Sequence, residues 1–207
     1  YVYLIKTDSY GDSLWAKTFG GNDIDVGTSG QQTTDLGYII TGWTNSYGNG
    51  DDDVYLIKTD IYGDTLWTKT YGLPWEDRGA EVKQTTDGGY IITGHTFWGP
   101  GDCNLWLIKT DSQGDTLWTK THGGGVLGSN TQVGSSVYQT NDGGYIVTGY
   151  TNSFGNGYRD IYLIKTDSLG DLLWETSYGD IYDDNGFSVQ QTSDGGFIIV
   201  GNTMSPL

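Results

Sequence analysis

The chain has 207 residues, 34 of them glycine, and a formal net charge of −16 from 26 acidic against 10 basic side chains. Acidity on that scale, with no basic stripe to offset it, excludes nucleic-acid binding and disfavours an anionic membrane surface. Aromatic residues at 14% beside only three prolines exclude a disordered chain and point to an all-β protein with short turns.

The first element in chain order is Y-L-I-K-T-D at Tyr3–Asp8, a strand running into an aspartate turn, followed by G-D-S-L-W at Gly11–Trp15. The pair returns at Tyr55–Asp60 with Gly63–Trp67, at Trp106–Asp111 with Gly114–Trp118, and at Tyr162–Asp167 with Gly170–Trp174. Between these pairs stands T-x-D-G-G-[YF]-I-[IV], at Thr85–Ile92, Thr140–Val147 and Thr192–Ile199, with Leu36 replacing the first glycine in Thr33–Ile40. The lysines of the first motif are 52, 51 and 56 positions apart, a step that fits one propeller blade.

Each repeat predicts four strands. Strand A is of the Ser188–Thr192 type, B of Gly89–Gly94, C of Val54–Thr59 and D of Thr65–Thr70. Short glycine turns join A to B and C to D, which makes one repeat an antiparallel meander. The expected fold is a single β-propeller domain over 1–207, with blades at about 27–71, 79–122, 134–178, and 186–207 plus 1–19. The N-terminal C–D strands close it by pairing with the C-terminal A–B strands, against the alternative of a segment of a larger propeller.

The run V-Y-L-I-K-T-D-x-x-G-D-T-L-W resembles the blades of PQQ-like propellers. The fuller repeat, with W-x-K-T-[YF]-G and T-x-D-G-G-Y-I, resembles propeller repeats of secreted bacterial and archaeal surface proteins. That resemblance covers essentially the whole chain and implies a fold more than a function, because such rings serve as enzymes, scaffolds and binding modules alike. It also implies an extracellular or cell-surface location. The chain opens at Tyr1 without methionine, as a mature product or a fragment does. A single cysteine, Cys103, excludes an internal disulfide, and no apolar run approaches a membrane helix.

The A–B and C–D turns share one face and scarcely vary. The B–C and D–A loops share the other and carry the variation, which is where a rigid scaffold places function. Tyr47, Trp98 and Phe154 fall at matching B–C positions, and Trp75 lies in a D–A loop. With Asn45 and Asn152 nearby they offer an apolar face and amides for a sugar ring; the alternative is local packing over the blade tops. Asp51 and Asp53, with Asp183 and Asp184, form oxygen-rich loops of the kind that suits calcium. Asp184, like Asp25 and Asp77, precedes a glycine by two, so a strand-entry turn explains it as well, and none of these loops has the spacing of an EF-hand.

Tryptophans 15, 67, 118 and 174 recur in register as inter-blade core, and the repeat lysines read as partners of the repeat aspartates. Gln32, Gln84, Gln139 and Gln191 either line a channel or satisfy neighbouring backbones. Two histidines, His95 and His122, and two arginines, Arg78 and Arg159, supply no catalytic set, and no cofactor contacts are discernible. The sequence thus reads as a non-catalytic interaction module holding a glycan or protein at the loop face. Its rival is a structural subunit that self-associates in a surface assembly; a glycoside hydrolase or lyase stands further back.

Overall fold

The computed structural model describes residues 1–99, 101–123 and 130–206. Among them are sixteen strands and no helix. The chain begins with an antiparallel pair, β1 (Val2–Thr7) and β2 (Ser13–Phe19). Three four-stranded units follow. The first is β3 (Asp25–Gln32), β4 (Tyr38–Thr44), β5 (Asp53–Thr59) and β6 (Thr65–Tyr71). The second is β7 (Asp77–Gln84), β8 (Tyr90–Phe97), β9 (Asp102–Thr110) and β10 (Thr116–His122). The third is β11 (Asn130–Gln139), β12 (Tyr145–Thr151), β13 (Asp160–Thr166) and β14 (Leu172–Tyr178). A final pair, β15 (Asp184–Gln191) and β16 (Phe197–Thr203), ends the row.

Within each unit every strand pairs antiparallel with the next, in one register throughout: Ile39 opposes Lys58, Ile91 opposes Lys109, and Ile146 opposes Lys165. A short parallel bridge, Asn130 to Asp102 and Thr131 to Cys103, also joins the second and third units. The A strands start four residues earlier than the predicted type, at Asp25, Asp77 and Asp184. Each passes through an irregularity after a glycine, at Gly27, Gly79, Gly134 and Gly186, which bends the strand against its neighbour. At Gly134 a Cβ would lie 2.2 Å from Thr93 Oγ1 of the preceding unit, so only glycine permits that approach.

The core lies between units. Val54 and Leu56 of β5 face the second unit, in a cluster with Val82, Tyr90 and Ile92. Leu105 and Leu107 face the third in the same manner, with Val137, Tyr145 and Val147. Each outer-strand tryptophan packs at an angle against an aromatic of the next unit or pair: Trp15 on Tyr38 at 5.6 Å, Trp67 on Tyr90 at 6.0 Å, Trp118 on Tyr145 at 5.8 Å and Trp174 on Phe197 at 5.9 Å. Such pairs add about 1 kcal/mol each beyond the area they bury. Trp67 also lies over Gly114, at φ +78°, where a Cβ would come within 2.8 Å of the indole.

The lysine–aspartate pairing expected from the sequence is present at six positions. Lys58, Lys109 and Lys165 each reach the A–B turn aspartate of their own unit, Asp35, Asp87 and Asp142, at 2.9 Å. Lys17, Lys69 and Lys120 each reach across to the next unit's C–D turn, at Asp64, Asp115 and Asp171, at 2.7 Å. The glutamines satisfy neighbouring backbones: the N–H groups of Thr34, Thr86 and Asn141 donate to Gln84, Gln139 and Gln191, each at 2.9 Å.

The closure expected within the chain is not formed. β1–β2 and β15–β16 stand as separate two-stranded sheets, with no pairing between β16 and β1.

Candidate functional site

The B–C and D–A loops meet on one face, as the connectivity requires. Tyr47 of one loop donates its hydroxyl to Gly20 O of the other at 3.0 Å, and Asp77 N donates to Asp52 O at 2.6 Å. Five buried aspartates hold these loops from the starts of strands. Asp25, Asp77 and Asp184 accept the N–H of the residue four positions earlier in the D–A loops, from Gly21, Leu73 and Asp180. Asp53 and Asp160 do the same in the B–C loops, for Asn49 and Asn156.

Two of the four expected calcium residues, Asp53 and Asp184, are among those side chains. Asp53 and Asp184 are buried turn formers, Asp183 is half-buried, and Asp51 is exposed. The structure does not bring the four together. Asp53 instead converges with Asp77 beside Gly72, and Asp184 with Asp160 beside Gly179. Among the described residues no cluster of three or more His, Cys, Asp or Glu side chains is placed to hold a metal ion. Burial, with further repulsion from Asp53 and Glu76, pushes the Asp77 carboxyl up to about 6, although the Leu73 N–H and the Thr96 hydroxyl oppose the shift.

The amides expected to meet a sugar serve the loops. Asn45 Nδ2 donates to Asp52 Oδ1 at 3.0 Å, and Asn152 Oδ1 accepts the N–H of Thr131 at 2.6 Å. The aromatics are placed differently. Trp98 is 62% exposed, Tyr47 47%, Trp75 45% and Phe154 39%. Tyr47 and Phe154 rest against Tyr55 and Tyr162, with centroids 5.9 and 5.3 Å apart, so each packs locally and still presents a free surface.

Tyr47, Trp98 and Phe154 do not converge on one site; each belongs to its own cleft. The cleft at Tyr47, about 540 Å³, lies between the end of β2 and β6, with Thr65, Thr68 and Thr70 along it. The cleft at Trp98, about 440 Å³, is floored by Trp106 and flanked by Thr119 and Thr121. The cleft at Phe154, about 360 Å³, contains Ser153, Gln132, His122 and Glu175. The result is one architectural groove repeated three times, with an aromatic at its loop end.

A second constellation was not singled out from the sequence. Arg78 donates to Asp52 Oδ2 through Nε at 2.8 Å and Nη2 at 2.6 Å, and its guanidinium lies 4.5 Å over the Trp43 ring. His95 Nε2 is 3.4 Å from Glu76 Oε1; burial lowers its pKa despite that carboxylate, so the ring is neutral at pH 7. Arg78, Trp43 and His95 border a small hollow of about 260 Å³ with Thr28 and Ser135. Its only sequence signal is that Arg78 is one of two arginines.

No protein-family model matches the chain, and no curated protein matches it. A solved structure of a protein of unknown function from Bacteroides caccae is similar in fold, with a TM-score of 0.55 at 12% identity. The match covers 95% of this chain and 64% of that one, so the chain spans less than two thirds of that structure's length.

Proposed function

We propose that the chain is a non-catalytic propeller-type interaction module of an extracellular or cell-surface protein, and that its rim clefts hold carbohydrate. In this reading the four-stranded units are blades, and β15–β16 with β1–β2 are the two halves of a fourth. The observation that carries it is the repetition of one cleft, three times over, with an exposed aromatic at the loop end and hydroxyl or amide side chains along the wall. A sugar ring needs that combination of an apolar face and hydrogen-bonding partners. Three equivalent clefts on one rigid rim favour a repeating polymer, because linked weak sites add avidity without new contacts. The resemblance of the repeat to those of secreted surface proteins supports the location.

Retention on a panel of immobilised polysaccharides tests the proposal. Trp98→Ala is expected to weaken retention, and combining it with Tyr47→Ala and Phe154→Ala to abolish it. Retention that is unchanged in the triple variant, or absent in the parent, sinks the carbohydrate reading.

A further inference from the structure

The three clefts share one framework but not one lining, and the differences gather at the cleft of Phe154. At the cleft of Tyr47 the outer strand β6 contributes Thr68 and Lys69, and at the cleft of Trp98 β10 contributes Thr119 and Lys120. At the matching positions β14 has Glu175 and Thr176, and Glu175 lines the cleft of Phe154. Two further repeat positions change there. His122 stands where Phe19, Tyr71 and Tyr178 stand, and Gln132 where Asp25, Asp77 and Asp184 stand. Three departures from an otherwise constant pattern thus line a single cleft.

Glu175 is held in place from the floor of the cleft. Tyr162 of β13 donates its hydroxyl to Glu175 Oε2, and the Tyr162 ring is the one on which Phe154 rests edge-on. In the cleft of Tyr47 the corresponding hydroxyl, of Tyr55, meets the neutral Thr68, and in the cleft of Trp98 the floor residue Trp106 has none. Charge separates the clefts as well. Lys69 and Lys120 are each neutralised by an aspartate at 2.7 Å, Asp115 and Asp171. Burial lowers the pKa of His122 despite the nearby Glu175, so its ring is neutral at pH 7. Glu175 is therefore the one charged side chain among the described residues lining the Phe154 cleft, and it takes part in no ion pair among them.

We propose that the Phe154 cleft holds a protonated amine, and that its ligand is a glycan carrying a free amino sugar. The Glu175 carboxylate supplies the counter-charge and a charge-assisted hydrogen bond, and the exposed face of Phe154 attracts the same cation. Beside them the Ser153 hydroxyl and the Gln132 amide, bonded to each other, continue a polar wall for the hydroxyls of the ring. A lysine side chain offers the same ammonium group, but it has no hydroxyls for that wall. The net charge of −16 draws a cationic ligand from a distance. The clefts of Tyr47 and Trp98 have no carboxylate in their lining and take neutral units. This inference rests on the carbohydrate reading above and names the chemistry of one of its three sites.

Titration calorimetry at pH 6, where a sugar amine carries its proton, compares a glucosamine oligosaccharide with its N-acetylated form. The parent protein is expected to bind the amino form about tenfold more tightly, the worth of one charge-assisted hydrogen bond. Glu175→Gln keeps an acceptor for the Tyr162 hydroxyl and is expected to erase that preference, so that the two ligands bind alike. Asp23→Asn, which removes an exposed charge from another loop, is expected to keep it. If Asp23→Asn erases the preference too, the protein attracts amines through its overall charge and the site is overturned. Equal affinities in the parent overturn the amine assignment and leave the carbohydrate reading standing. Binding of neither form also overturns it, and the polysaccharide panel shows separately whether the carbohydrate reading falls with it. Displacement of the amino form by Nα-acetyl-lysine amide at equal concentration makes the ligand a peptide, which overturns the sugar.

Discussion

Lys58 Nζ lies 2.9 Å from Asp35 Oδ2 in an ion pair whose lysine side chain is 4% exposed and whose carboxylate is 57% exposed. The ammonium also donates to Thr59 O at 2.9 Å, so the turn and the end of the C strand are tied at one buried point. Removing the carboxylate leaves that ammonium half-satisfied. Asp35→Asn is expected to cost about 1–2 kcal/mol, the lower part of the range for a broken buried pair because water reaches the partner. Urea unfolding of the variant measures it.

The same carboxylates set the acid limit. Burial opposes ionisation of Asp35, but the Thr33 hydroxyl and Lys58 outweigh it and bring its pKa down to about 2. In Asp142 the Thr140 hydroxyl and Lys165 do the same. A depressed folded pKa contributes stability that is present above the ordinary value of 3.8 and is lost as pH falls towards 2. The thermal midpoint is expected to drop steeply below pH 4, and less so in an Asp35→Asn, Asp142→Asn double variant.

Asp77 acts in the opposite sense. With a folded pKa of about 6, the native state holds a proton that the unfolded state has released, so stability falls as pH rises from 3.8 to 6. Asp77→Asn keeps an oxygen for the Leu73 N–H and removes the charge. It is expected to stabilise the protein by about 1–3 kcal/mol at pH 7, with the gain vanishing near pH 4. Melting curves of the two proteins from pH 4 to 7 decide it. Gln132, a neutral side chain, stands at the matching position of the third D–A loop.

Leu36 has φ +69°, the single positive value among the described non-glycine residues, at a place where the other repeats have glycine. A left-handed conformation costs a side chain roughly 1–2 kcal/mol. Leu36 is 57% exposed, so little packing is lost by Leu36→Gly, and a gain of about 1 kcal/mol in chemical denaturation is expected.

Cys103 is buried, and burial raises its thiol to about 12. A thiol reagent at pH 8 is expected to leave it untouched in the native protein and to label it at the rate of unfolding.

The repeat made the strand order, the inter-unit tryptophans and the lysine–aspartate pairs legible, because each follows from a pattern seen several times over. The early start of the A strands was not: an aspartate followed two positions later by glycine reads as a loop, yet Asp184 enters the ladder while its carboxylate closes the preceding turn. Asn45 and Asn152 show a second limit, since an amide that holds a loop and an amide that meets a ligand have the same letter and the same neighbours. Pairing of β16 with β1 lay beyond reach for a different reason. It depends on the rotation accumulated over four junctions, which the bulges and side-chain volumes set and no local pattern records.

The reach of the inter-unit hydrogen bonds has a consequence of its own. Lys17 to Asp64 spans 47 residues, Thr34 to Gln84 spans 50, and Val137 to Glu81 spans 56, which is one repeat in every case. A unit thus recognises its neighbour and is indifferent to how many others exist. Unequal recombination that deletes or duplicates one whole repeat would create no contact of a new kind, so the copy number can drift in evolution while each junction stays as it is.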